Sequence, residues 1–226
     1  MQAGISAYSI LVFVHLLLFV VWLGGDIGVF LLGQNFRRRA AWTLDQRLAL
    51  LKMLVLVDLA PRIAWALMVP VTLTVVALGK WWDVGVPGLI AAWGASLWWL
   101  WFIIAQHGGA TSPAMTANKH AETYFKLFMA GFYLWIGIES WLTMAPLGPR
   151  WLAIKAIMFG LIFLAAMMID LRFKPVGPLL TRLVAEGSSD ATELPLLKVM
   201  NRTRRWVLTI YLLLLATAFL GTVKPF

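Results

Sequence analysis

"VHLLLFVVWLGGDIG", residues 14–28, lies within an apolar run that reaches from Ala7 to Gly33. A bilayer core is crossed by a helix of about 20 such residues, so the run is long enough to span it. It nevertheless carries His15 and Asp26. Their separation is about three helical turns, which points both from one face, about 16 Å apart along the axis. Lipid has no use for either side chain, so both are expected to face the interior of a bundle.

The rest of the chain has the same character. Its 226 residues are 62% hydrophobic and 13% charged, and 13 of them are Trp. The mean hydropathy is +0.84. These values belong to polytopic membrane proteins and lie outside the range of soluble domains. Segments of spanning length fall at 7–33, 53–78, 87–106, 123–145, 151–171 and 206–223. The expected fold is therefore all-α, a single bundle of six transmembrane helices. Nothing alternates with the period of a barrel strand. The chain has no Cys, which excludes disulfides, zinc fingers, iron–sulfur clusters and thiol nucleophiles. It has no GxGxxG, P-loop, GxSxG or HExxH motif to support nucleotide, esterase or zinc-protease chemistry. The opening "MQAGISAYSI" lacks a basic n-region, so the first helix is expected to be retained.

The net charge of +9 is spread by topology. Stretches 34–52, 107–126 and 172–205 hold five, two and seven Lys or Arg, while the alternate connections and termini together hold three. The positive-inside rule then places the basic stretches in the cytoplasm and both termini outside. Nucleic acid is not an expected partner; membrane lipid is. The 172–205 stretch contains a short amphipathic piece expected to lie along the membrane surface. Trp81, Trp82, Trp93, Trp98, Trp99 and Trp101 read as an aromatic belt.

Ionisable residues within spans are functional candidates. Trp22 lies two turns below His15 on the same face, and Gly24, Gly25 and Gly28 offer a smooth surface beyond. Neutral imidazole is the usual protein ligand of haem iron, and small residues admit a flat macrocycle. The same residues also suit a histidine hydrogen-bonded across helices beside an ordinary Gly-x-x-x-Gly packing motif. Lys155, one turn into the fifth span, suits either snorkelling to headgroups or, when desolvated, a role as ligand or base. Glu139 is the natural charge partner of Lys155, or a proton-relay carboxylate. Asp58 and Arg62 stand at i, i+4 and are expected to satisfy each other. Arg62 also suits a propionate or another anion, and Asp26, at similar depth, can join the pair. His107 and His120 read as loop residues. Met144, Met158, Met167 and Met168 are soft donors of the kind that hold Cu(I), but they form no tight row beside a histidine.

Three stretches together resemble the HemJ-type protoporphyrinogen oxidase family and its wider CopD-like relatives. "YSILVFVHLLLFVVWLGGDIGVFLL" looks like that family's opening helix. "RWLAIKAIMFGLIFLAAMMIDLRF" is similar to its helix whose Trp-Leu-x-x-Lys carries an essential lysine. "LLKVMNRTRRWVLTIYLLLLATAFLGTVKPF" resembles its last helix, including the terminal Val-Lys-Pro-Phe. The family has four helices, so residues 87–145 read as an inserted pair. The resemblance implies a haem b protein of the inner membrane, with His15 and Lys155 as the functional pair and His15 on the iron. It implies oxidation of protoporphyrinogen IX, with electrons passing to quinone. Asp26 and Glu139 are then the proton carriers, Arg62 a propionate or substrate partner and Trp22 a neighbour of the cofactor. Two rival readings share this polar interior: a haem-carrying electron-transfer subunit of a larger complex or homo-oligomer, and a CopD-like transporter of copper or a small solute without haem.

Overall fold

The computed structural model describes residues 6–107 and 113–225, and over 113–119 the backbone alone. Met1–Ile5 of the opening stub, residues 108–112 of the 107–126 stretch and the terminal Phe226 lie outside the described residues. Among the described residues the chain is helical throughout and contains no strand. The helices are α1 (Ala7–Phe36), α2 (Leu44–Leu78), α3 (Gly85–His107), α4 (Pro113–Thr143), α5 (Arg150–Phe173), α6 (Val176–Glu186) and α7 (Asp190–Val223). Five stretches are long and apolar enough to cross a membrane: α1, α2, α3, the run Arg150–Glu186 and α7. This is an all-α membrane protein. Helix α4, the remaining expected span, is not among these five.

Several helices begin well before the spans expected from hydropathy. Helix α2 starts at Leu44, not 53; α4 starts at Pro113, not 123; and α7 starts at Asp190, not 206. Hydropathy marks where lipid contact begins, whereas the helix continues as long as its hydrogen bonds and caps permit. Thr43 and Gln46 cap α2 reciprocally, with backbone N–H to side-chain oxygen distances of 3.0 and 3.4 Å. Ser189 and Thr192 form a capping box at the start of α7. With 35 and 34 residues, α2 and α7 are each about 50 Å long, well beyond a hydrocarbon core of about 30 Å. The amphipathic piece expected in the 172–205 stretch is α6, which seats the fully buried Leu183.

The chain divides into two compact units. The first comprises residues 1–38 and 48–120, that is α1, most of α2, α3 and the start of α4. Contacts between α1 and α2 fix an antiparallel pair in constant register. His15 meets Thr72, Trp22 meets Trp65, Gly25 meets Pro61, Gly28 meets Val57 and Gly33 meets Leu54. Each step down α1 is matched by an equal step up α2, as in helices that cross at a shallow angle. Trp65 carries the packing on to α3 through Trp99, and Thr74 accepts the Trp93 indole N–H at 3.2 Å.

The second unit comprises residues 39–47 and 121–226. Its α4 and α5 touch backbone to backbone. A Cβ at Gly137 would lie 2.7 Å from the Ile157 nitrogen and 2.8 Å from the Ala153 oxygen, and one at Gly160 would lie 3.0 Å from the Ala130 oxygen. Tyr133 wedges between Phe159 and Phe163 on the same seam. Helix α7 lies against α5, and α6 folds back on α7. A fully buried pair holds the first turn of α2: the Arg47 guanidinium donates to both Glu193 oxygens at 2.5 and 2.8 Å. The Ser188 hydroxyl adds a third bond to Glu193 at 2.7 Å.

Candidate functional site

His15 and Asp26 both face α2, but they meet different partners there. His15 is half-buried, and its Nδ1 lies 3.3 Å from the Thr72 hydroxyl. With the imidazole donating from Nδ1, the lone pair falls on Nε2. This is how metal-ligating histidines are held, the outer nitrogen engaged by an oxygen that sets tautomer and ring orientation. Thr72 was not among the expected residues. Its only signal is a hydroxyl in the apolar run "VPVTLTVVAL", and a threonine in a helix usually satisfies its own backbone four residues back, as Thr74 does with Pro70.

Three turns below, the structure brings together Trp22, Asp26 and Arg62, along with Asp58. The Trp22 indole N–H donates to Asp26, and Asp58 and Arg62 both act on Asp26 electrostatically. Arg62 also donates from Nε to Asp58 one turn away, as their spacing predicts. The cluster holds two carboxylates against one guanidinium. Trp22 is only 3% exposed and stacks on Trp65 with ring centroids 5.6 Å apart. Its surroundings are thus a tryptophan stack and a carboxylate.

The glycines below His15 have a different use from the smooth surface expected of them. A helix advances about 100° per residue, so Gly24 lies on the side opposite His15. A side chain at Gly24 would meet nothing within 4 Å. Gly25 is pressed against Pro61, where a Cβ would fall 2.8 Å from the proline ring, and Gly28 rests on Val57. They serve the approach of α1 to α2, the packing alternative for Gly-x-x-x-Gly.

Lys155 and Glu139 belong to the second unit, and the structure does not bring them together. Glu139 is exposed on α4, and its carbonyl accepts the Thr143 hydroxyl at 2.9 Å. Among the described residues Lys155 makes no ion pair with it. Helix α5 turns Lys155 toward α7, where its ammonium occupies the space beside Gly221; a Cβ there would lie 2.5 Å from Nζ. The charged neighbour acting on it is Lys224, just past the end of α7. The Lys224 ammonium stands 5.3 Å from the ring centre of Trp151, one turn before Lys155. Neither Gly221 nor Lys224 was singled out in the sequence, because only the pairing of α5 with α7 gives them a role. His107 is the last residue of α3 and His120 lies exposed within α4, so both are helical and not the loop residues expected, because each helix runs past its apolar span.

Comparison of the chain with known protein families, with curated proteins and with solved structures finds no match.

Proposed function

We propose that this chain is a b-type haem protein of the inner membrane that works as a redox enzyme, and that it oxidises protoporphyrinogen IX and passes electrons to quinone. The observation that carries the reading is the contact between His15 and Thr72, which sets an imidazole inside an apolar helix with its Nδ1 engaged. The resemblance of the first, fifth and last spans to the HemJ-type family supports the same assignment. In this reading α4 crosses as well, giving six spans with basic loops inside and both termini outside.

The residues fit a haem held by one protein ligand. His15 would hold the iron, and the Thr72 hydroxyl beside its Nδ1 would steady the ring's orientation. When bound, haem supplies the one-electron chemistry, with its potential tuned by burial and the axial ligand. Asp26, which the Trp22 indole hydrogen-bonds beside Asp58 and Arg62, is the proton carrier of this cluster. Arg62 is committed first to Asp58, so holding a propionate requires that it share its remaining N–H groups. Lys155 is the functional lysine that the resemblance implies, and Glu139 is a proton carrier at the α4 surface.

The absorption spectrum of the purified protein tests this. Haem-replete membranes should yield a Soret band with reducible α and β bands. His15→Ala should lose the bands, and Thr72→Val should keep haem but shift its potential. A colourless wild-type protein, or an unchanged spectrum in His15→Ala, overturns the reading. Restoring porphyrin synthesis in a strain without its own oxidase then separates an oxidase from an electron-transfer subunit.

A further inference from the structure

Helix α7 presents two unlike stripes on one outward face. A helix advances about 100° per residue, so Lys198, Arg202 and Arg205 fall within about 60° of arc. Leu208, Leu212 and Phe219 fall within the adjoining arc of about 60°. All six are exposed, the last three at 47, 68 and 57%. Leu196, Thr203, Ile210 and Leu214 are buried on the opposite side, and α7 packs against α5 and α6. Among the described residues, none of the three cations is in an ion pair. The nearest acidic residue on this face of α7, Asp190, lies about two turns beyond Lys198 and is held by Arg39.

Depth in the bilayer separates the stripes. The apolar run of α7 opens at Trp206, directly after Arg205. At a rise of about 1.5 Å per residue, Arg202 stands about 5 Å and Lys198 about 10 Å beyond Arg205. The headgroup layer on each side of a bilayer is about 5–8 Å deep. Both arginines therefore lie inside it, and Lys198 lies at its outer edge, where the lysine stem can lean back toward the phosphates. Topological control needs only a count of cations in a loop and is indifferent to the face they occupy. Cations aligned at the end of an apolar stripe suit a ligand with charge at one end and hydrocarbon at the other.

We propose that this face of α7 binds an anionic phospholipid. Its phosphate sits on Arg202 and Arg205, its outer headgroup approaches Lys198, and an acyl chain runs along Leu208, Leu212 and Phe219. Arginine suits the phosphate because its planar fork meets two oxygens at once. An acidic segment of a soluble partner would reach Lys198, but it would have to enter the headgroup layer to meet Arg205. The site lies wholly within the second unit and does not involve His15. A protein without haem leaves it standing, and its failure leaves the expected haem spectrum untouched.

The test is equilibrium binding to the full chain in neutral detergent, titrated separately with phosphatidylglycerol, phosphatidylcholine, glycerol phosphate and an oligoglutamate peptide. Phosphatidylglycerol should bind at least about tenfold more tightly than phosphatidylcholine, and added salt should weaken it. Each cation near an anionic headgroup contributes about fivefold, so Arg202→Gln/Arg205→Gln should weaken phosphatidylglycerol about twentyfold. Arg204, which lies off this face, is the control: Arg204→Gln should retain the binding of the wild type. These side chains are exposed, so all the variants should melt with the wild type. Equal binding of the two lipids, unchanged binding in the double variant or an equal loss in Arg204→Gln overturns the proposal. So does glycerol phosphate binding as tightly as the lipid, which would remove the apolar stripe from the site. Oligoglutamate binding more tightly than phosphatidylglycerol overturns it in favour of an acidic protein partner.

Discussion

Removing the Arg47 side chain should destabilise the second unit strongly, and removing its partner as well should restore most of the loss. Arg47 and Glu193 are 1% and 0% exposed, and their two hydrogen bonds are parallel and short. In Arg47→Met the Glu193 carboxylate stays buried with the Ser188 hydroxyl as its one remaining side-chain hydrogen bond and Arg39 as its remaining charge partner. Stranding a buried charge in this way costs about 3–5 kcal/mol. For a chain of this size about 2–4 °C of melting temperature corresponds to 1 kcal/mol, so the expected drop is about 6–20 °C. The double variant Arg47→Met/Glu193→Leu removes both charges and keeps the volume. It should melt close to the wild type, since replacing a whole buried pair by apolar groups is often neutral or stabilising. Thermal unfolding of the four proteins in one detergent, followed by near-ultraviolet circular dichroism, completes the cycle. A drop of less than about 2 °C in Arg47→Met, or a double variant as unstable as the two single losses added, would refute this account of the clamp.

The same pair predicts a pH dependence. The Arg47 guanidinium holds the Glu193 carboxyl below the usual carboxylate range, with the Ser188 hydroxyl acting in the same direction. A group whose folded pKa is depressed adds stability above its unfolded value, about 4.3 for glutamate, and that stability fades as pH falls through the folded value. The wild type should therefore lose melting temperature below about pH 4.3 relative to Glu193→Gln, and parallel curves for the two would count against the pairing. At the α4–α5 seam, Gly160→Ala would place a methyl group 2.8 Å from Leu134 and 3.0 Å from the Ala130 carbonyl. Backbone cannot yield as a side chain can, so a cost of about 1–3 kcal/mol is expected in thermal unfolding. Gly131→Ala meets nothing within 4 Å and serves as the control, expected to be neutral or slightly stabilising.

The membrane character was legible in the sequence for a direct physical reason. Apolar length sufficient to cross a bilayer is a one-dimensional property, and so are the Asp58–Arg62 spacing and the breaks that set α6 apart. The helix starts were less legible, because Thr43 and Ser189 extend α2 and α7 through polar residues that hydropathy scores as loop. The choice between the two uses of Gly25 and Gly28 lay in the register of α1 on α2, which presses them against Pro61 and Val57. Glu139 and Lys155 looked like partners because both are rare charges in apolar runs. Their side chains depart because the face each helix turns inward is decided by packing, and α5 turns Lys155 toward Gly221 and Lys224. Sequence by itself thus determined that the chain enters the membrane and which polar residues it carries there. Only the tertiary structure decided what each of them meets, because contacts between helices depend on rotation and register, which local composition does not encode.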